Sequence, residues 1–212
     1  MAVRHCFIEN SFPQMLIITD SQGYRLPPVN SSHIKLVPVR GATVQVLIKI
    51  ACLAVHEGYA SVVILGGTNN IAVDPWKPEL APDGALQPKP VRAILRQYRG
   101  VSHFCQQNPR TKLFVAEIPP RFDQPHTIPR KLSRFQRVVR NINKELKVYL
   151  NSLKESGLNV DILPLYDDLN NPEYFIRNSK GKDLIDLHLN ELGGQKVMCH
   201  LKSLVPNMRR DA

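Results

Sequence analysis

No internal repeat, low-complexity tract or long apolar run interrupts this sequence. The lack of a repeat argues against solenoids and propellers, which depend on stacked copies of one unit. A helix that crosses a bilayer needs about 18 to 20 successive apolar residues, and no stretch approaches that. The first 20 residues also lack a basic start leading into an apolar run and a small-residue cleavage site. The expectation is therefore an intracellular, cytoplasmic chain. Cysteine is scarce: Cys6, Cys52, Cys105 and Cys199 are the four, far apart in the chain. They read as buried free thiols rather than a disulfide framework or a metal site. Acidic residues are nearly missing from one stretch. Residues 92–147 carry thirteen Lys and Arg against Glu117, Asp123 and Glu145, a net +10, while the whole chain is 28 − 18 = +10, so the remainder sums to zero. Charge concentrated in this way points to an anionic partner.

What is present is an ordinary globular composition, 43% hydrophobic and 22% charged over 212 residues, enough for one sizeable core and against disorder. We take residues 1–212 as a single domain. Apolar runs of strand length recur at Met15 to Thr19, Ile34 to Val39, Val62 to Leu65, Leu113 to Ile118 and Val160 to Leu165, bounded by Gly, Pro, Asn or Asp. Helical patterns fill 43–57, 91–107, 130–155 and 190–205, with Gly58 and Gly157 ending the first and third. Strands alternating with helices predict an α/β fold, a five-stranded parallel sheet with helices on both faces. Two connections, 71–90 and 119–129, are punctuated by proline, which removes a backbone donor and argues for loops over a strand-end crevice.

Three polar turns follow the apolar runs. Asp20-Ser21-Gln22-Gly23 places a hydroxyl at a strand-to-helix junction, where a helix end and nearby N–H groups favour developing negative charge. The plainer reading of the same pair is a helix cap. Gly66-Gly67-Thr68-Asn69-Asn70 places a carboxamide on a turn beside the first strand, suited to an oxyanion, although Gly-Asn turns are common for conformational reasons alone. Arg40-Gly41-Ala42 presents a backbone N–H with no side chain in the way. Near the end, Asp186-Leu-His188-Leu-Asn-Glu-Leu-Gly193 puts an imidazole where an extended loop enters the last helix, as a candidate general base.

These motifs, in this order, resemble those of the SGNH, or GDSL-like, hydrolases. "TDSQG" is similar to the family's Gly-Asp-Ser block, "RGATV" to its glycine block, "GGTNN" to its Gly-x-Asn-Asp block and "DLHLNELG" to its terminal Asp-x-x-His block, over roughly residues 15 to 205. The resemblance implies a three-layer α/β/α flavodoxin-like sheet of order 2-1-3-4-5. It implies Ser21 as nucleophile, His188 as base, and an oxyanion hole from the N–H groups of Ser21 and Gly41 with the Asn69 side chain. It implies no metal and no organic cofactor, and a carboxylic, acetyl or lipid ester as substrate. Thr19 and Asn70 depart from the first and third blocks, and Ile185 stands where the family has the acid that orients the histidine. Asp186 and Asp183 are the available substitutes. The wording "GATV", "IPPR" and "HLNELG" looks most like the esterase domains carried in the first open reading frame of LINE retrotransposons. A related branch, the OSK domain of Oskar, keeps the fold without the catalytic residues and binds RNA.

The basic stretch supports a rival function on residue chemistry alone. From Arg130 onward, Leu132, Phe135, Val138, Val139, Ile142, Leu146 and Leu150 share one arc of a helix, with Arg130, Arg134, Arg137, Arg140, Lys144 and Lys147 opposite. Together with Arg92, Arg96 and Arg99 they form a candidate surface for the phosphate backbone of RNA or another single-stranded nucleic acid. The reading is thus a serine ester hydrolase with a basic flank. The alternative is an inactive RNA-binding module, and a third possibility is a scaffold whose proline-rich loops dock a partner.

Overall fold

The computed structural model describes residues 14–29, 32–71, 90–120, 134–177 and 185–204, the side chains at 134, 135, 177 and 185–187 excepted. Five short strands, β1 (Met15–Thr19), β2 (Ile34–Pro38), β3 (Ser61–Leu65), β4 (Lys112–Ala116) and β5 (Val160–Leu163), form one parallel sheet of order β2-β1-β3-β4-β5. β1 has no exposed position because both faces of the sheet are covered, and its alternating residues feed two cores. Leu16 and Ile18 join Val62, Ile64, Leu113 and Val115 beneath one helical layer. Met15 and Ile17 join Val63, Leu65 and Leu163 on the other face.

The first layer holds α1 (Val44–Ala54), α3 (Val91–Leu95), α4 (Gly100–Gln107) and α5 (Arg134–Glu155); α2 (Thr68–Ile71) is a single turn after β3. α6 (Glu191–Ser203) lies on the opposite face through Val197, Met198 and Leu201, completing three layers. α5 follows its predicted arc, with Val139, Ile142, Leu146 and Leu150 buried and Val138 partly so. Leu132 lies outside the described residues, as does the Phe135 side chain. The predicted stops are in place: Gly58 ends the 3₁₀ turn that extends α1, at φ +83°, and Gly157 follows α5 at φ +88°, left-handed conformations that glycine adopts without penalty.

Two features depart from expectation. The segment between β5 and α6 contains an antiparallel ribbon, β6 (Phe175–Arg177) with β7 (Ile185–Leu189), where an extended loop was expected. The segment 91–107 is divided into α3, a 3₁₀ turn over Arg96–Tyr98 and α4, so that Gly100 can pass against Ile48 of α1. The proline-punctuated loops expected at 71–90 and 119–129 fall almost wholly outside the described residues. No described helix is long and apolar enough to cross a membrane.

Candidate active site

The site begins where β1 runs out of sheet. Asp20 turns the chain with extended backbone, and its Oδ1 accepts the N–H of Gln22 at 3.0 Å, capping the 3₁₀ turn Ser21–Arg25. The cap expected of this pair is therefore supplied by Asp20, and the turn is 3₁₀ rather than the start of an α-helix. The turn stays tight because a Cβ at Gly23 would collide with Thr19. Ser21, half-buried, is left with its hydroxyl facing His188: Oγ and Nε2 are 3.0 Å apart.

His188 is held there from several directions. It sits in β7, and the next residue, Leu189, donates its N–H to Gln22 Oε1 at 3.0 Å, tying β7 to the turn that carries Ser21. Asn190 caps α6 by accepting from Gly193 N, and its Nδ2 donates to the Phe175 carbonyl, holding β6 to the same junction. The first turn of α6 can approach this closely because Gly193 and Gly194 have no Cβ. One at Gly194 would fall on the Arg25 carbonyl and one at Gly193 on the Tyr174 carbonyl. Of the two candidate acids, Asp183 lies outside the described residues, and Asp186 belongs to β7 with its side chain undescribed.

The turns after β2 and β3 are stitched to the first. Thr68 Oγ1 donates to Asp20 Oδ2 at 2.9 Å, Asn69 Nδ2 donates to the Ala42 carbonyl at 3.0 Å, and Asn70 Oδ1 accepts the Val44 N–H at 3.0 Å. A primary amide has two donors, so Asn69 keeps a second for a ligand after the bond to Ala42. Asn70, where the resemblance leads one to expect Asp, caps α1 and donates to Gln97 Oε1, a pairing that needs the amide N–H₂. Gly41 is exposed at φ +69°. Asp20 itself has no solvent exposure; burial raises its pKa, against the bonds from Gln22 and Thr68 that lower it.

No protein-family model and no curated protein matches the chain by sequence. Solved structures do match by fold. A Streptococcus pneumonia protein named for platelet activating factor superposes with TM-score 0.62 at 20% identity, covering 93% of this chain and 86% of that one. A GDSL-like lipase from Bacteroides thetaiotaomicron gives 0.61 at 13%, covering 94% and 89%. The fold is that of the GDSL-like hydrolases. A carbohydrate esterase of family 3 from Talaromyces cellulolyticus shares it, with TM-score 0.58 at 12% identity over 93% of this chain and 98% of the other.

On the GDSL-like fold the basic residues do not form one stripe. Arg92, Arg96 and Arg99 line a groove of about 430 Å³ between α3 and α5, together with Leu95, Glu145 and Tyr149. Arg140, Lys144 and Lys147 line a different cavity, on the other flank of α5. Arg137 is exposed, Arg130 lies outside the described residues and the Arg134 side chain is undescribed. Among the described residues, no group of His, Cys, Asp and Glu is arranged to hold a metal ion. Cys105 is buried, Cys52 partly buried and Cys199 exposed, all as free thiols. Burial pushes the Cys105 thiol up to about 11, so it is no nucleophile at neutral pH. Sequence reasoning missed Gln22, Thr68, and also Asn143, whose buried side chain brackets the Ile118 N–H and carbonyl at 2.9 Å each. A polar residue on the apolar arc of α5 was the available signal for Asn143; nothing in the sequence marked Gln22.

Proposed function

We propose that this chain is an SGNH-type serine hydrolase of carboxylic esters, acetyl or lipid, working through an acyl-enzyme on Ser21. The observation that carries the reading is the 3.0 Å approach of His188 Nε2 to Ser21 Oγ, between residues 167 positions apart in the chain. The likeness in fold to proteins named as a lipase and a carbohydrate esterase agrees with it.

In this mechanism Ser21 Oγ attacks the ester carbonyl and its proton passes to His188 Nε2. The Ser21 and Gly41 N–H groups and the second Asn69 amide proton bind the tetrahedral oxyanion. The intermediate collapses, the alcohol leaves with the proton from His188, and the acyl group remains on Ser21. Water then attacks with His188 again as base, and the carboxylic acid departs. Asp186 or Asp183 holds the imidazole in its working tautomer. The reading carries with it a cytoplasmic location and kinship with the LINE-encoded esterase domains.

The test is labelling with a fluorescent fluorophosphonate near pH 8. Wild type should label and Ser21→Ala, still folded, should not; labelling of both would remove Ser21 as nucleophile. A second reading, a non-catalytic RNA-binding module, is favoured by the three arginines of the α3–α5 groove, and absence of labelling in the folded wild type would support it.

A further inference from the structure

The cavity on the far flank of α5 has a composition the proposed chemistry does not use. It is an open concavity of about 330 Å³, lined by Arg140, Lys144 and Lys147 with the buried Asn143 of the same helix, by Tyr166 from the segment after β5, and by Glu117 and Asp167. The three cations are spaced along one side of α5, and none of them forms an ion pair among the described residues. Of the two acids, Glu117 is already engaged. Its Oε2 accepts the N–H groups of Leu165 at 3.1 Å and Tyr166 at 2.9 Å, so much of its charge is answered by backbone donors. Asp167 is left against three positive charges. The Arg140 guanidinium lies over the Tyr166 ring, 5.6 Å from its centroid. The Tyr166 residue is 4% exposed, and its buried hydroxyl interacts with the Arg140 guanidinium. Three cations on one side of the cavity, with one of its two acids already spent on backbone donors, suit an anion that takes several donors at once, as a phosphoryl group does.

Position adds to composition. Glu117 directly follows β4, and Tyr166 lies just beyond β5, so the cavity opens at the carboxyl ends of the strands, the edge that also carries Ser21 after β1. Neighbouring strands are about 4.8 Å apart, so β4 and β5 stand roughly 10 to 14 Å along that edge from β1.

We propose that this cavity is a phosphoryl-binding site. Resting on the hydrolase reading, its distance from Ser21 makes it the subsite for the phosphate of an anionic ester substrate. If phosphate enters instead as a separate ligand, the binding site stands without the substrate role.

The experiment titrates the full chain with inorganic phosphate by calorimetry, comparing wild type, Lys144→Ala/Lys147→Ala, Tyr166→Phe and the charge-matched control Lys49→Ala/Lys202→Ala, two exposed lysines outside both concavities. Saturable binding should weaken at least tenfold in the lysine variant, weaken in Tyr166→Phe, and stay within twofold in the control. The absence of saturable binding by wild type, or equal weakening in the control, would overturn the site. The lysines are exposed and their removal leaves the core intact, which circular dichroism verifies. A second arm compares two aryl esters, one whose acyl chain spans about 10 Å to a terminal phosphate and one ending in a methyl group. A preference of tenfold or more in kcat/KM for the first, lost in the lysine variant, supports the subsite. Phosphate binding without that preference identifies free phosphate as the ligand and removes the substrate role. If neither ester is turned over and Ser21 does not label, the hydrolase reading fails while the calorimetry still decides the binding site.

Discussion

A carboxylate with no solvent exposure stands immediately before Ser21, and the residues that satisfy it come from two different turns. Gln22 N bonds to one oxygen of Asp20 and Thr68 Oγ1 to the other, so the nucleophile turn and the Asn69 turn are joined through this one side chain. Burial raises the Asp20 pKa above its ordinary 3.8, so the folded chain retains a proton at a pH where the unfolded chain has lost it. The ionised carboxylate therefore carries a folding cost that grows as pH rises from 3.8 through the folded value. Thr68→Val removes one donor and enlarges that cost. We expect about 1 to 3 kcal/mol of destabilisation at pH 7 and a smaller loss at pH 4, read from denaturant unfolding at both. An equal loss at the two values would mean that Thr68 acts through packing alone.

At the scale of elements, the five sheet strands were legible because a parallel strand covered on both faces is a continuous apolar run, as MLIIT and SVVIL are. β6 and β7 were not. β6 is three residues long, and Asp186 and His188 break the apolar pattern of β7. The motif containing His188 was readable as chemistry, but the strand carrying it was not. That strand bears on the missing acid. Between its pairings with Phe175 and Arg177 the register shifts, four residues of β7 against two of β6, so the stretch carrying His188 is not a regular strand and the acid need not be three residues before the histidine as in an Asp-x-x-His turn. We expect one of Asp186→Ala and Asp183→Ala, but not both, to lower kcat by up to about 10⁴-fold. If neither does, the dyad works without a carboxylate. The glycines of α6 make a complementary prediction. In Gly194→Ala the new methyl meets the backbone carbonyl of Arg25, which cannot rotate away, so α6 must retreat from the Ser21 turn. Unfolding midpoints should show a loss of about 1 to 3 kcal/mol, with fluorophosphonate labelling reduced, while the neighbouring exposed Gln195→Ala changes neither. Full labelling in Gly194→Ala would show that the α6 approach does not set the His188 position.

For the whole molecule, the excess of ten positive charges is distributed in a way a helical wheel could not anticipate. A wheel gives angles about one helix axis; what lies beside the helix depends on its neighbours. The packing of α5 between α3 and the segment after β5 sends its charged positions to two separate concavities, one shared with Arg92, Arg96 and Arg99 and one opening at the sheet's carboxyl edge. The net charge draws any polyanion to the surface, but the two sites answer differently to its removal. If the α3–α5 groove follows a nucleic-acid backbone, each phosphate it neutralises contributes about −0.7 to the slope of log affinity against log salt for a single strand. Three arginines then give a slope near −2, and Arg92→Gln/Arg96→Gln should reduce its magnitude by about 1.4, while Lys144→Ala/Lys147→Ala leaves it nearly unchanged. Fluorescence anisotropy with a single-stranded RNA over a salt series measures both. An unchanged slope in the arginine variant removes the nucleic-acid reading and leaves the positive field one function, steering an anionic ester toward the edge where Ser21 and His188 meet.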